Sequence, residues 1–468
     1  MQTLSQAFLA EVSNRFPLDF LTQEAQELET YGKDWTKVYP AAPSAVVFPR
    51  STPEVAEFLK LCSQHRVAVV PSGGRTGLAG GAVAAQGEVV LSLTRMNQMG
   101  PVDSLSQTVR VQAGAVTEAV HRHCEQQGLT WPIDFASKGS SHVGGNISTN
   151  AGGVKVIHYG MTRNWVLGLQ VVTMNGDIHE LNGSLEKNNT GADLRQLFIG
   201  TEGTLGVVTE AVLKLSRLPR QLDVLFFAVN DIPAVLKLFL ETRKAPFSLM
   251  AFECLSQNCL EAVQWNLKVP SPFKETHGAY VLIEVERPES PHAQQILDEW
   301  LARLFEAGLV NDGVLAQNSR EAKDLWTLRE GIAESLTRKA FLHKNDISVP
   351  VANLEVFVNE MNTLFAKNYP GLDLYTFGHI GDGNLHVNSL KPEAMSREEF
   401  QLIVKKADLE LFTLVRKQGG SVSAEHGIGL LKKSALSFSR TAEELTLMRG
   451  LKKVFDPQGL LNPGKIFD

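Results

Sequence analysis

Three glycine-rich runs in the first half of the chain, each beside strand-like sequence, constrain its fold most strongly. These glycine loops are, in chain order, P-S-G-G-R-T-G-L-A-G-G (residues 71–81), G-G-N-I-S-T-N-A-G-G (144–153) and I-G-T-E-G-T-L-G-V-V-T (199–209). Glycine lets backbone amides approach an anion such as a pyrophosphate closely. One run alone is explained as well by a flexible loop, but three in one domain indicate a bound dinucleotide. Neither G-x-G-x-x-G nor G-x-x-x-x-G-K-[ST] occurs, so no Rossmann fingerprint or Walker loop is predicted.

The length of 468 residues exceeds what one hydrophobic core supports, so two or three domains are expected. Before Pro219, short strands and short helices are mixed without the pattern of a regular doubly wound repeat. After it, longer strand-like and helical segments indicate a second domain of α+β type. Locally, Thr52 is predicted to cap a helix that has Pro53 at its first position, and Asn175–Gly176 is predicted to form a hairpin turn.

Charge and cysteine content narrow the function class. The net charge of -6 has no block structure, which argues against nucleic acid or a membrane surface as the main partner. The four cysteines contain no C-x-x-C pair, so buried or inert thiols in a reducing compartment are predicted. The sequence has no evident signal peptide and no apolar run long enough to span a bilayer, so we expect a cytoplasmic protein that is not integral to a membrane. A mature organellar protein stays open.

Two histidines flank a glycine-rich turn in G-H-I-G-D-G-N-L-H, residues 378–386. Asp382–Gly383 predicts the turn of a hairpin, which would bring His379 and His386 to neighbouring positions. Asn388 falls on the same strand face as His386. The stretch therefore predicts a cluster of nitrogen and amide groups on one face of a sheet.

A carboxylate and a third histidine stand side by side in S-A-E-H-G-I-G, residues 423–429. Two histidines and a carboxylate such as Glu425 form a ligand set for a divalent metal, with Zn²⁺ a natural fit. His426, next to that carboxylate, is then a candidate general base. Two alternatives stay open: a hydrogen-bonded histidine cluster without a metal, and a His426 that only orients Glu425.

These motifs, with L-N-P-G-K at residues 461–465, carry a family resemblance. The glycine loops resemble the FAD-binding domain of the vanillyl-alcohol oxidase superfamily. The histidine motifs and the closing L-N-P-G-K resemble its D-2-hydroxyacid dehydrogenase branch, most of all the members that oxidise hydroxyglutarate. The resemblance implies an α+β fold with a two-part FAD-binding domain of the vanillyl-alcohol oxidase (PCMH) type, an α+β substrate (cap) domain and a small C-terminal helical segment.

The resemblance and the change near Pro219 together predict four segments. They are an N-terminal helical segment (1–35), the FAD-binding domain (36–218), the cap domain (219–418) and a C-terminal segment that closes on the flavin (419–468).

The resemblance also implies which residues contact FAD. Arg75 stands where some superfamily members carry the histidine that tethers the flavin, so non-covalent FAD is implied. The implied cofactor contacts are Pro71, Ser72, Gly73, Gly74, Arg75, Thr76, Gly77, Leu78, Pro132, Asp134, Gly144, Gly145, Asn146, Thr149, Asn150, Gly152, Glu202, Gly203, Gly206, Val207, Val208 and Asn462.

For the substrate and the metal, the resemblance implies a smaller set. It assigns Zn²⁺ to His379, His386 and Glu425, substrate binding to Arg329, Lys344 and Asn388, and the general base to His426. The hydroxyglutarate-oxidising members are expected to carry a threonine four residues after the arginine, where this chain has Ala333. Whether the nearby Ser335 substitutes for that threonine is open.

The implied activity is FAD- and zinc-dependent oxidation of a D-2-hydroxy acid to the 2-oxo acid. Two cations favour a dicarboxylic substrate, D-2-hydroxyglutarate or D-malate, and the implied electron acceptor is an electron-transfer flavoprotein or a quinone. A homodimer is kept open. The alternatives are a D-lactate or glycolate dehydrogenase, a non-redox flavin-dependent transferase resembling alkyl-dihydroxyacetonephosphate synthase, and a zinc hydrolase with an incidental flavin.

Overall fold

The computed structural model describes residues 4–467. The first three residues of the predicted N-terminal segment and the last residue of the chain therefore lie outside the described residues. The strands are β1 Leu21–Thr22, β2 Ala45–Val47, β3 Val69–Ser72, β4 Val89–Ser92, β5 Met99–Asp103, β6 Thr108–Gln112, β7 Leu129–Thr130, β8 Val166–Val172, β9 Ile178–Leu181, β10 Val207–Lys214, β11 Ser216–Arg217, β12 Leu222–Val229, β13 Ser248–Leu255, β14 Ala279–Glu286, β15 Asp312–Leu315, β16 Leu342–Ser348, β17 Leu374–His379 and β18 Asn384–Leu390.

The helices are α1 Gln6–Arg15, α2 Ala25–Tyr31, α3 Thr52–His65, α4 Thr117–Glu125, α5 Val143–Thr149, α6 Val156–Tyr159, α7 Ile232–Lys244, α8 Gln257–Leu267, α9 Ala293–Glu306, α10 Ser319–Glu330, α11 Ile332–Lys339, α12 Leu354–Asn368, α13 Arg397–Lys417 and α14 Ala442–Phe455. Within residues 4–467, none of them combines the length and the apolar character needed to cross a membrane.

The described chain divides into two compact units. The first unit contains residues 4–153, 159–218 and 425–467, and the second contains residues 154–158 and 219–424. The four segments inferred from sequence stay a prediction, because compactness alone does not establish which parts fold independently.

The first unit is built on two main sheets. In the order β1-β2-β4-β3, strands β2, β4 and β3 run parallel and β1 pairs antiparallel to β2. The second sheet is antiparallel, in the order β5-β6-β10-β8-β9. Two of the glycine loops adjoin strands of these sheets: the first follows β3, and the third leads into β10.

Two local predictions in the first unit meet different outcomes. The hairpin at Asn175–Gly176 is confirmed, because β8 and β9 pair antiparallel around it and Gly176 has a φ of +84°. The predicted helix cap at Thr52 is wrong, because α3 begins at Thr52 and is capped by Ser51, whose hydroxyl accepts from the Glu54 amide. The Thr52 hydroxyl instead bonds the Gln170 side chain at 2.5 Å.

The core of the first unit joins α3 to both sheets. The apolar stripe of α3, Val55, Phe58, Leu59 and Cys62, is fully buried in it. All four cysteines of the chain are buried and free of disulfides, as predicted.

The second unit is a seven-stranded antiparallel sheet with helices on both faces. Its strand order is β15-β12-β14-β13-β17-β18-β16. The hairpin predicted at Asp382–Gly383 is confirmed by the pairing of β17 with β18 and by a φ of +84° at Gly383. One face packs its apolar residues against α8, α10 and α11, where Leu255, Leu282 and Phe377 meet Leu328 and Leu336.

Candidate active site

Hydrogen bonds join the three glycine loops to one another and to the C-terminal tail of the first unit. The amides of Gly200 and Glu202, in the third loop, donate to carbonyls of the second loop at 3.0 and 2.7 Å. The Asn462 side-chain amide donates to the Gly81 carbonyl at 3.0 Å and to the Glu202 carbonyl at 2.6 Å. Residues implied to contact FAD from four separate stretches are thus assembled into one surface.

Two glycines of these loops differ in the space around them. A Cβ on Gly74 would lie 2.0 Å from the Ser140 carbonyl oxygen, so a larger residue would displace the backbone. At Gly145 no atom lies within 4 Å of the corresponding position. Gly145 therefore leaves space beside the start of α5 where a ligand can approach the backbone.

Buried polar atoms without partners also fit a dinucleotide at this surface. Within residues 4–467, Ser72 Oγ, His142 Nδ1 and Asn462 Oδ1 are buried and make no hydrogen bond. Because such groups are costly to bury unpaired, a ligand that carries phosphates, hydroxyls and ring nitrogens would satisfy them. Burial, and then the charge of Arg75, lower the pKa of His142 to about 4, so its ring is neutral at neutral pH.

Arg75 has a defined position of its own. Its backbone is left-handed, with a φ of +57°, and its guanidinium carbon lies 4.3 Å from the centre of the Tyr31 ring. Burial lowers its pKa. The side chain at the position of the tethering histidine is therefore a cation stacked on an aromatic ring.

Several other side chains of the implied cofactor set are engaged within the protein. The Asn146 amide donates to the Thr117 hydroxyl at 2.7 Å, the Thr149 hydroxyl donates to the Gly145 carbonyl at 3.0 Å, and Asp134 pairs with Lys138 at 2.8 Å. Any contact of these residues with a cofactor would come mainly from their backbone. Of the other implied residues, seven are buried: Pro132, Gly144, Gly152, Gly203, Gly206, Val207 and Val208.

Glu202 connects the third glycine loop to the residues that follow His426. Its two carboxylate oxygens accept from the amides of Ile428 and Gly429, at 2.7 and 2.8 Å. Burial raises the pKa of Glu202, and the two amides oppose that rise. Since a Cβ on Gly427 would lie 2.8 Å from the same carboxylate, only glycine fits beside it. Glu202 thus fixes the backbone immediately after His426.

A row of polar side chains lies on one face of the sheet of the second unit. The strand register pairs Lys344 with Asn388, Asp346 with His386, and Glu253 with His379. Paired residues of adjacent strands share a face. The imidazole rings of His379 and His386 have centroids 5.5 Å apart, and each ring offers a nitrogen within 4.8 Å of the other's. The structure therefore brings together the two predicted histidine ligands and two predicted substrate residues.

Each of these two histidines has a carboxylate beside its Nδ1 atom. Glu253 Oε1 lies 2.7 Å from His379 Nδ1, and Asp346 Oδ1 lies 3.6 Å from His386 Nδ1. Asp346 is itself held by the Asn384 side-chain amide at 2.9 Å. A carboxylate beside Nδ1 is typical of carboxylate–histidine–metal sites, in which Nε2 is the metal ligand, so the residues fit a divalent ion.

Arg329 comes to the same face from the end of α10. Its Nη2 lies 2.7 Å from Glu253 Oε2, and its guanidinium carbon lies 4.8 Å from the centre of the Phe377 ring. Although the side chain is only 5% exposed, Nε and Nη2 make no bond with hydrogen-bond geometry to any described residue. A buried guanidinium with donors to spare is a site for an anion.

Lys344 and Asn388 stand side by side on neighbouring strands. Burial lowers the pKa of Lys344, and no carboxylate of the described residues forms an ion pair with it. Asn388 is 3% exposed. A second cation, without an internal counter-ion, therefore lies on the polar face.

The position of Ala333 bears on the substrate. Ala333 is exposed in the first turn of α11, while Ser335 is fully buried and its hydroxyl accepts from the Asn266 side-chain amide at 3.2 Å. Ser335 is thus engaged within the fold by at least one hydrogen bond.

Glu425 and His426 are the first residues of the last segment of the first unit. Before them, the Ser421 amide donates to the Ser348 carbonyl at 2.8 Å, and the Ala424 amide donates to the Asp346 carbonyl at 3.4 Å. The second unit therefore holds the chain beside β16 up to the residue that precedes Glu425.

Comparison with known proteins decides the family. The FAD binding domain model matches residues 43–182, and the model of the C-terminal domain of FAD linked oxidases matches residues 218–466. The D-2-hydroxyglutarate dehydrogenase of Stutzerimonas stutzeri (strain A1501) is 46% identical over 444 residues, which covers 95% of each chain. The mitochondrial D-2-hydroxyglutarate dehydrogenase of Bos taurus is 38% identical over 447 residues, covering 95% of this chain and 80% of the relative. The chain belongs to the D-2-hydroxyglutarate dehydrogenase family.

Solved structures agree with this family at the level of the fold. A substrate-bound p-cresol methylhydroxylase has a TM-score of 0.76 at 16% identity, covering 99% of this chain and 98% of its own. An alkyldihydroxyacetonephosphate synthase has a TM-score of 0.73 at 19% identity, covering 99% and 87%. The predicted α+β fold with a vanillyl-alcohol-oxidase-type FAD-binding domain is confirmed. As a member of this family, the protein is an FAD-dependent dehydrogenase.

The sequence motifs did not predict the two carboxylates that lie beside Nδ1 of the histidines. Glu253 lies in a strand, S-L-M-A-F-E-C-L, whose other residues are mostly apolar, and Asp346 follows Asn345 in β16. A lone acid in an apolar strand is a signal that it has a buried partner. The partner itself is set by strand order, which the sequence does not state.

Proposed function

We propose that this chain oxidises D-2-hydroxyglutarate to 2-oxoglutarate, with non-covalently bound FAD taking the electrons. The family supports the class of reaction. Bound FAD would accept the hydride equivalent from C2 of the acid. The protein must then hold the carboxylates, orient the hydroxyl group and remove its proton.

One observation carries the substrate assignment: a buried, incompletely hydrogen-bonded Arg329 shares a sheet face with the histidine pair. Its guanidinium can clamp one carboxylate with two parallel hydrogen bonds. Lys344, a second cation on that face without an ion-pair partner among residues 4–467, can hold the other carboxylate beside Asn388. Two separate cations suit a dicarboxylic acid better than lactate or glycolate.

The proposed metal ligands are His379, His386 and Glu425. A carboxylate lies beside Nδ1 of each histidine, and the two ring centroids are 5.5 Å apart. Ala424, the residue before Glu425, is hydrogen-bonded to Asp346. A divalent ion such as Zn²⁺ would supply Lewis acidity at the substrate hydroxyl group. Three protein ligands leave an open position, as catalytic sites require.

His426 is proposed to take the hydroxyl proton. Glu202 accepts hydrogen bonds from the amides of Ile428 and Gly429, so the backbone two and three residues after His426 is held in place. An imidazole attached next to this backbone can hold one orientation toward a proton that it must accept, and that placement is what general-base catalysis needs.

Reduced flavin must pass its electrons on, and an electron-transfer flavoprotein or a quinone is the proposed acceptor. A cytoplasmic location and a homodimeric state stay predictions.

Metal removal tests this function. Turnover of D-2-hydroxyglutarate with an artificial acceptor should be lost after chelation and restored by Zn²⁺, because the hydroxyl group would lose its Lewis acid. His386→Ala should lose metal and rate together while it keeps FAD. Full turnover in metal-free protein would contradict the assignment of the histidine pair.

A further inference from the structure

Glu253 is a buried carboxylate that contacts two functional side chains at once. Its Oε1 atom lies 2.7 Å from His379 Nδ1, and its Oε2 atom lies 2.7 Å from Arg329 Nη2. Glu253 is 1% exposed. We propose that Glu253 is a positioning residue that fixes the histidine ligand and the anion-binding arginine together, so that metal binding and acid binding are coupled through one carboxylate. This inference rests on the proposed function of His379 and Arg329.

The strand register makes both contacts possible. Glu253 in β13 is paired with His379 in β17, so the two side chains leave the sheet on the same face. Arg329 reaches that face from α10 and stacks on Phe377, two residues before His379 in β17. The carboxylate is therefore enclosed between a strand neighbour and a helix that covers the sheet.

The contact with His379 determines which ring nitrogen remains for a ligand. A carboxylate at Nδ1 accepts a hydrogen bond from Nδ1–H, which favours the tautomer whose lone pair is on Nε2, the atom that would bind a metal, and makes that lone pair more basic. Without the carboxylate, the ring could turn or adopt the other tautomer. Glu253 thus sets the orientation that a metal ligand needs before the metal binds.

The contact with Arg329 determines how much of the guanidinium is left for a substrate. Glu253 Oε2 lies 2.7 Å from Nη2, and the guanidinium carbon lies 4.8 Å from the centre of the Phe377 ring. Glu253 is 1% exposed and Arg329 is 5% exposed, so each supplies the counter-charge that the other needs in a buried pair.

An ion pair that only stabilises the fold would have the same geometry. A second buried ion pair in the chain provides a matched control for an effect on stability alone. Asp223 in β12 is a buried carboxylate, 5% exposed, that pairs with Arg287. The residue after Asp223 in β12 lies on the face that α8, α10 and α11 cover. Since successive residues of a strand point to opposite faces, Asp223 lies on the other face of the same sheet. Asp223→Asn removes a comparable ion pair without touching the histidine pair.

The test compares Glu253→Gln with Asp223→Asn in the FAD-loaded protein. Zn²⁺ affinity is measured by competition with a chelator, and 2-oxoglutarate affinity is measured from the change in flavin absorbance. We expect Glu253→Gln to weaken Zn²⁺ binding about 10- to 100-fold, the range for an outer-shell partner of a metal ligand. Binding of 2-oxoglutarate should weaken roughly tenfold or more. Asp223→Asn should leave both affinities near those of the wild type, whatever its thermal stability.

Glu253→Asp provides a second variant if the glutamine protein does not fold. It keeps the charge but is one methylene shorter, so it can reach only one of the two partners and should weaken at least one affinity about tenfold. Wild-type affinities in the glutamine or aspartate variant, or equal losses in Asp223→Asn, would overturn the role of Glu253. A wild-type protein that binds neither Zn²⁺ nor 2-oxoglutarate would overturn the proposed function itself, and this role with it.

Discussion

One carboxylate in each unit contacts residues of the candidate site. Glu202 fixes two amides after His426, and Glu253 contacts His379 and Arg329. Each carboxylate has both oxygens in contact with donors, which is the condition under which a buried charge is tolerated. At this scale the residue types of the site were predictable from motifs. The carboxylates behind them were not, because a single acid carries no spacing signal.

His142 gives a prediction for the pH dependence of stability. Its pKa is lowered from 6.5 to about 4, chiefly by burial and then by Arg75. As the pH falls below the unfolded value, the unfolded chain binds a proton that the folded chain does not, so stability is lost between those two values. At about pH 5 the free energy of unfolding is lower than at neutral pH by about 2 kcal/mol from this group.

Denaturant unfolding of flavin-free protein at about pH 7 and about pH 5 checks this. From about pH 7 to about pH 5, the free energy of unfolding of the wild-type protein should fall by about 2 kcal/mol more than that of His142→Gln, whose side chain does not titrate. Equal losses in the two proteins would mean that His142 is not held neutral by the fold.

Secondary-structure elements bring the polar face together. The hairpin of β17 and β18 carries both histidines and Asn388, and its turn was predictable because Asp-Gly favours a left-handed residue. Helix α10 was predictable as a helix, but the contact of its Arg329 with Phe377 in β17 was not, since Arg329 stands in an ordinary amphipathic pattern. The true cap of α3 was also missed by one residue, because Ser51 and Thr52 are both good caps.

Gly383 tests the hairpin. It has a φ of +84°, and a Cβ there would lie 2.0 Å from the Val349 carbonyl oxygen. Gly383→Ala should therefore destabilise the protein by about 1–3 kcal/mol or more, measured by denaturant unfolding. Gly371→Ala is the matched control, because nothing lies within 4 Å of its added Cβ and its φ is not positive. A Gly383 variant as stable as the Gly371 variant would show that the turn does not constrain the histidine pair.

On the scale of the whole molecule, one unit carries the glycine loops that are proposed to bind FAD, and the other carries the polar face that is proposed to bind a metal and the carboxylates of the substrate. The three glycine loops identified the first from sequence, since close backbone approach has a recognisable composition. The order of the seven-stranded sheet was not predictable, because long-range strand pairing leaves no local signature. Strand order nevertheless decides that Glu253, His379, His386 and Lys344 share a face.

The most direct test of the central claim is the anaerobic reduction of the bound flavin by single 2-hydroxy acids. D-2-hydroxyglutarate should bleach the flavin of the wild-type protein, while L-2-hydroxyglutarate should not. D-lactate should do so roughly ten- to a hundredfold less efficiently, because it lacks one charged hydrogen-bonding group. Arg329→Met should erase that preference if Arg329 holds the distal carboxylate, and should slow both acids equally if it holds the carboxylate next to C2. Equal or faster bleaching by D-lactate would contradict the dicarboxylate assignment, and no bleaching by any D-2-hydroxy acid would contradict the proposed function.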